Sequence, residues 1–237
     1  MLQQQPLALP PPAGPAAWEG QALLDLRTSR GLASLNEAFL RLLFDAQQRR
    51  PGQPAYGLEP AVWPPPPPAP PGAVALAGLP CALFALGFRD ARLWQAQVQR
   101  GGSVQDGPGQ PGPESAALAF TRQAMVFAWH LADARDRAAR LVLGLEPATA
   151  AALAEVPVGQ LEGCAQQMAP RLAARFSGRE AFWRARRDTL WFPSDLVTRA
   201  RLRRLALQLQ GMDSARQLQL QRRVIRPTPD ASGPATN

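Results

Sequence analysis

The chain has 237 residues, of which 46 % are apolar, and its formal net charge is +8. That length and apolar content allow one or two domains with real cores. With only two distant cysteines and one histidine, a disulfide framework and a Cys/His zinc site are both excluded.

Residues 1–15, MLQQQPLALPPPAGP, lack a basic n-region and are broken by proline. They read as a disordered tail and not as a signal peptide. Residues 16–100 form the first unit. Helices are predicted over 17–27 and 33–48, the second with Leu35, Phe39, Leu42 and Leu43 at helical spacing. Ser34, with Glu37 three residues on, fits an N-cap and its capping-box partner. Residues 64–71, PPPPPAPP, fit polyproline II, a spacer or a segment that docks in an aromatic groove. A helix over 76–97, kinked at Pro80, is predicted to follow. The uncharged stretch from Val62 to Phe88 is interrupted by eight prolines and leaves about 16 apolar residues after Gly72, fewer than the roughly 20 that span a bilayer. No membrane segment is expected.

Residues 101–115, GGSVQDGPGQPGPES, form a Gly/Pro linker. The second unit, 116–192, opens with a long helix over 115–143 capped by Ser115 and carrying Leu118, Met125, Trp129 and Ala132. Gly144 should end it in the C′ position, with Pro147 starting the next helix. Short helices are predicted over 147–155 and 158–168, broken at Pro157, then one over 170–191. Pro193 and Ser194 start a last helix, 195–210 or longer, in a basic segment 193–226. Residues 227–237 read as a second disordered tail.

Ala, Leu and Arg dominate the chain, which favours helices over sheets. Every basic side chain is Arg. From Met1 to Trp183, 15 Arg meet 14 acidic residues, a net of +1; from Arg184 to Asn237, 11 Arg meet 4, a net of +7. Charge localised in this way draws polyanions; the alternative is a solvated helix face.

The two units look alike. Tyr56-Gly57-Leu58-Glu59-Pro60-Ala61 answers Leu143-Gly144-Leu145-Glu146-Pro147-Ala148, Phe88 answers Phe176, and Trp94 answers Trp183. The offset is 87 (144 − 57) or 88 (176 − 88). In the first copy the proline run stands where the second has a helix. Two copies of one helical unit can bury matching faces against each other, as a homodimer does.

The stretch from Ala128 to Phe176 resembles the FlhD family of flagellar transcriptional regulators. The resemblance rests on Ala128, Leu131, Ala139 and Leu141 in a long helix, the Leu143-Gly144 turn, Leu153-Ala154, Leu161, Leu172 and Phe176. It needs no gap, and the repeat extends a weaker version to 33–97. FlhD proteins have one copy of the unit, whereas this chain has two, a polyproline insertion and an arginine-rich extension. The resemblance implies an all-α fold made of two tandem FlhD-like units packed as an intrachain pseudo-dimer, monomeric or as a homodimer. It also implies a cytoplasmic activator of transcription, acting on DNA and with an FlhC-like zinc-bearing partner, in control of flagellar genes. The alternative is an adaptor that keeps the helical fold and has lost DNA binding.

The candidate DNA-binding residues are Arg184, Arg186, Arg187, Arg199, Arg201, Arg203 and Arg204, which could neutralise phosphates in a salt-dependent, sequence-blind way. Arginines interleaved with Phe182-Trp183 and Trp191-Phe192 suit stacking on bases or core anchors with arginines reaching outward. Phe176, Phe182, Trp183 and the stripe Leu202, Leu205, Leu209, continued by Met212, are candidates for a partner interface. Residues 145–168 contain two short helices about a turn, but Glu146, Glu155 and Glu162 argue against their facing DNA. His130 has no nearby nucleophile motif and reads as structural or surface. No catalytic residue, metal site or cofactor is expected, and the chain is not expected to be an enzyme.

Overall fold

The structure is a computed structural model and describes residues 25–63, 79–99, 113–134, 136–192 and 195–225. The polyproline run, both tails, the linker up to residue 112 and residues 17–24 of the helix predicted over 17–27 lie outside them. The described residues are mostly helical, with eight α-helices and one two-stranded sheet, as the all-α expectation requires in its main lines.

Helix α1, Leu26–Arg49, is a single helix. Leu32, Leu35, Phe39 and Leu43 are buried along one face at three- and four-residue spacing. The cap is Asp25, whose carboxylate accepts from the Thr28 N–H at 2.7 Å. Ser34 is therefore not the cap but lies exposed inside the helix. Between Asp25 and Ser34 only Gly31 weakens helical continuity, and one glycine does not end a helix. Gly31 lies where α1 meets the later helix carrying Phe127: a Cβ there would stand 3.1 Å from that ring.

The predicted helix over 76–97 is replaced by a strand, β1 (Phe84–Leu86), and a shorter helix, α2 (Ala91–Gln99). A run between Pro80 and Gly87 is too short to nucleate a helix. The buried Asn36 side chain holds its backbone instead, donating to the Cys81 carbonyl at 3.0 Å and accepting from the Leu83 N–H at 2.8 Å. Gly87, at φ +62°, then turns the chain into α2.

In the second unit α3 (Pro113–Ala134) and α4 (Asp136–Leu143) lead to Gly144, which sits at φ +73° as its C′ reading requires. Pro147 opens α5 (Pro147–Ala154), and α6 (Leu161–Met168) follows the break at Pro157. The predicted helix over 170–191 is also divided. Strand β2 (Leu172–Ala174) comes first, and α7 (Glu180–Trp191) begins after Phe176, which sits at φ +61°. The last helix, α8, runs over Leu196–Ile225.

β1 and β2 pair antiparallel, with Phe84 opposite Ala174, Ala85 opposite Ala173 and Leu86 opposite Leu172. The central pair is separated by 88 residues (173 − 85), the repeat offset. After the strands the offset becomes 89. Gly87 and Phe176 share a left-handed backbone, and their carbonyls accept from the N–H groups of Asp90 and Arg179 at 2.9 and 2.8 Å. By backbone, Phe176 thus answers Gly87 and not Phe88. Trp94 and Trp183 are also 89 apart (183 − 94), and each indole donates back to the strand exit, though to carbonyls 88 apart (175 − 87), Gly87 at 3.1 Å and Arg175 at 3.0 Å.

The Gly turn of each unit touches the other unit's strand. The Ala82 N–H donates to the Val142 carbonyl at 2.9 Å, and Glu146 N–H to Phe88 at 3.1 Å. From the other side, the Ala174 N–H donates to the Tyr56 carbonyl at 2.7 Å. Both units share one core. Phe39, Phe84 and Phe120 pack with ring centroids 5.0–6.1 Å apart, and Trp63 meets Trp183 edge-on at 5.6 Å.

Candidate nucleic-acid and partner interface

Helix α8 lies against α7 and α4. Its inner stripe, Leu202, Ala206 and Leu209, is buried, and Leu205 is half-buried. At its start, Asp195 accepts from the Val197 N–H at 2.9 Å and from the Thr198 hydroxyl. Those hydrogen bonds hold its carboxyl below the usual carboxylate range. Burying the inner stripe turns the rest of the helix outward.

Arg199, Arg201, Arg203 and Arg204 are all exposed, and among the described residues none of them has an ion pair. Arg184 is exposed too, and shares Glu180 at 3.0 Å. The other two candidates fare differently. Arg187 is half-buried, paired with Asp188 at 2.8 Å and stacked 5.1 Å from the Trp191 ring. Arg186 is 1 % exposed, so it cannot reach a phosphate in this structure. Its Nη1 donates to Thr189 Oγ1 at 2.8 Å, while Nε and Nη2 find no acceptor among the described residues. Burial pushes its guanidinium pKa down to about 9. Arg186 stands at i+4 from Phe182 on α7, so it shares the inward face that the aromatic anchor selects.

Four of the six candidate partner residues are corrected too. Phe182, Trp183, Leu202 and Leu209 are buried in this chain's own core, and Phe176 and Leu205 are half-buried. Phe182 and Trp183 are core anchors, in T-shaped contact at 5.6 Å, and none of the four buried residues is open to a second protein. Met212, 54 % exposed, leaves the inner stripe. His130 is exposed on α3. Cys81 and Cys164 are buried free thiols, and burial raises the Cys81 pKa to about 11. Among the described residues no three His, Cys, Asp or Glu are grouped as metal ligands, and no helix is long and apolar enough to cross a membrane.

Farther along α8, Asp213 pins the helix to both units. One oxygen pairs with Arg89, beyond β1, and the other with Arg175, beyond β2, at 2.9 Å. Arg175 is buried. It also donates to the Val142 carbonyl and lies 4.7 Å from the Phe176 centroid. A Cβ at Gly144 would come within 2.6 Å of its guanidinium. Gln210 adds a bond to the Pro80 carbonyl at 2.8 Å. Sequence reasoning misses this anchor, since an aspartate 38 residues from one arginine and 124 from the other leaves no spacing signal.

Comparison with known proteins finds no family model that matches the chain, and no curated protein or solved structure that matches it.

Proposed function

We propose that the chain is an FlhD-like transcriptional regulator in which two tandem helical units pair as a pseudo-dimer within one polypeptide. The strand register supports this reading. An antiparallel pair in which Ala85 faces its own counterpart, Ala173, is what a local two-fold axis through that pair produces. The regulator is cytoplasmic, acts without catalysis, and contacts DNA together with an FlhC-like partner in control of flagellar genes.

One observation carries the DNA contact: four exposed arginines stand on the first half of α8, without ion pairs among the described residues. Such groups release counterions when they neutralise phosphates, and the affinity then falls with salt. The test is binding to random duplex DNA over a salt series, with the intact chain beside an R199Q/R201Q/R203Q/R204Q variant. The intact chain should bind with a steep slope, and the variant's slope should fall by about 0.9 for each arginine that meets a phosphate. Equal slopes would remove DNA contact from α8. Deleting 184–237 would be a poor test, because it cuts α7 immediately after the buried Trp183.

The adaptor reading has its own support. α8 shows leucines to solvent as well as arginines, and phosphate contact has no use for leucine.

A further inference from the structure

Helix α8 has two apolar stripes, and among the described residues only the inner one is covered. The outer stripe runs through Leu196, Leu207 and Leu218, which are 70 %, 41 % and 56 % exposed. They recur every 11 residues (207 − 196 and 218 − 207). Eleven residues make close to three helical turns, so the leucines stay in line over about 33 Å. Ala200 and Gly211, also 11 apart and exposed, fall between them. A Cβ at Gly211 would meet nothing within 4 Å. Leu196 and Ala200, with Val197, Arg201 and Arg204, line an open cleft of about 470 Å³. Leucines held in line at the surface, with small residues between them, are the form of a seat for another helix.

The charges flanking the stripe say which helix. Successive residues turn by about 100°, which puts Arg199 and Arg203 on one side and Arg201 and Arg204 on the other. The one acidic residue between 196 and 218 is Asp213, and Arg89 and Arg175 already hold it. A second copy of α8 laid on this stripe would set arginine against arginine, which is repulsive. A helix with Asp and Glu along both flanks meets the same arginines favourably.

We infer that the outer stripe of α8 is the docking site for an acidic amphipathic helix of a partner protein, which lays its apolar face along Leu196, Leu207 and Leu218. The inference rests on α8 being a contact surface, not on the DNA reading.

The test uses the full chain and a labelled synthetic helix with leucines along one face and glutamates on both flanks, read by fluorescence anisotropy. This peptide should bind at least about tenfold tighter than a scrambled version of itself, and more weakly as salt rises. An L196S/L207S/L218S variant should lose that binding while keeping its circular dichroism, since the three side chains are exposed. Gly211→Trp, which fills the space beside the stripe, should block the peptide in a chain whose surface leucines are intact. Equal binding of the acidic and scrambled peptides, or undiminished binding to both variants, overturns the inference. So does a dimer in sedimentation velocity that the triple substitution abolishes, which would assign the stripe to a second copy. A loss of duplex DNA binding in the triple variant, with no peptide binding by the intact chain, would assign it to nucleic acid. The DNA reading fails separately, on equal salt slopes for the intact chain and the four-arginine variant.

Discussion

The turns at Gly57 and Gly144 share the sequence Gly-Leu-Glu-Pro-Ala and a left-handed glycine, φ +80° and +73°, but Tyr56 is left-handed too (φ +49°) whereas Leu143 ends a helix, and their surroundings differ. A Cβ at Gly57 would meet only the Ser177 side chain, at 3.7 Å, whereas at Gly144 it would strike the buried Arg175 guanidinium. The first glycine is required by conformation alone. The second is required by conformation and by a charge packed on its Cα. One short sequence, Gly-Leu-Glu-Pro-Ala, stands in two different sites, because α8 returns to one of them and places Asp213 against Arg175.

The largest expected effect tests that difference directly. Gly144→Ala should destabilise the chain by about 3–5 kcal/mol, combining left-handed strain with displacement of a buried ion pair. Gly57→Ala should cost about 1–2 kcal/mol, the strain alone. Urea denaturation of both variants measures the gap, and equal losses would mean that Arg175 yields freely. Next is Asp213→Asn, which leaves the buried Arg175 without its carboxylate and should cost about 2–4 kcal/mol by the same measurement. Arg89→Gln, at the exposed end of the same cluster, should cost under about 1 kcal/mol. If the two losses matched, the pairing with Arg175 would not be what holds α8.

Smaller effects sharpen the likeness of the units. Trp94→Phe and Trp183→Phe each remove one buried indole hydrogen bond at the exit of a strand. Each should cost about 1–3 kcal/mol, and the two losses should agree within about 1 kcal/mol if the strand exits are equivalent. The last effect is a pH dependence. Cys81 is fully buried, so its thiol titrates at about 11 in the folded chain, against an ordinary thiol value of 9.0. A folded pKa above the unfolded one leaves stability intact below pH 9 and removes it as pH rises from 9 toward 11. Arg186, held down to about 9, works in the opposite sense over the same range, so the test by chemical denaturation is the difference: stability should fall relative to Cys81→Ala as pH rises from 9 toward 11.

Much of the helical framework was legible. Phe39 and Leu43 mark the buried face of α1 by spacing, and Gly144 and Pro147 mark a helix end and a helix start by backbone chemistry. The two strands were not legible. Leu83-Phe84-Ala85-Leu86 is apolar at every position and carries no period, so strand and helix read alike. The buried Asn36, 47 residues earlier, decides for the strand by supplying its side-chain bonds. The candidate site was half legible. Arginine count and position on α8 gave Arg199, Arg201, Arg203 and Arg204, which are exposed, but the same count gave Arg186, which the inward face of α7 takes into the core.

The sequence by itself determined the helical composition, the glycine turns and the concentration of charge near the end of the chain. Each of these rests on short-range chemistry: propensity, a left-handed backbone, or simple counting. Only the tertiary structure decided that β1 and β2 pair, that Asp213 ties α8 to both Arg89 and Arg175, and which face of α8 is exposed. Those depend on residues that are dozens of positions apart, and packing alone brings such residues within reach of one another.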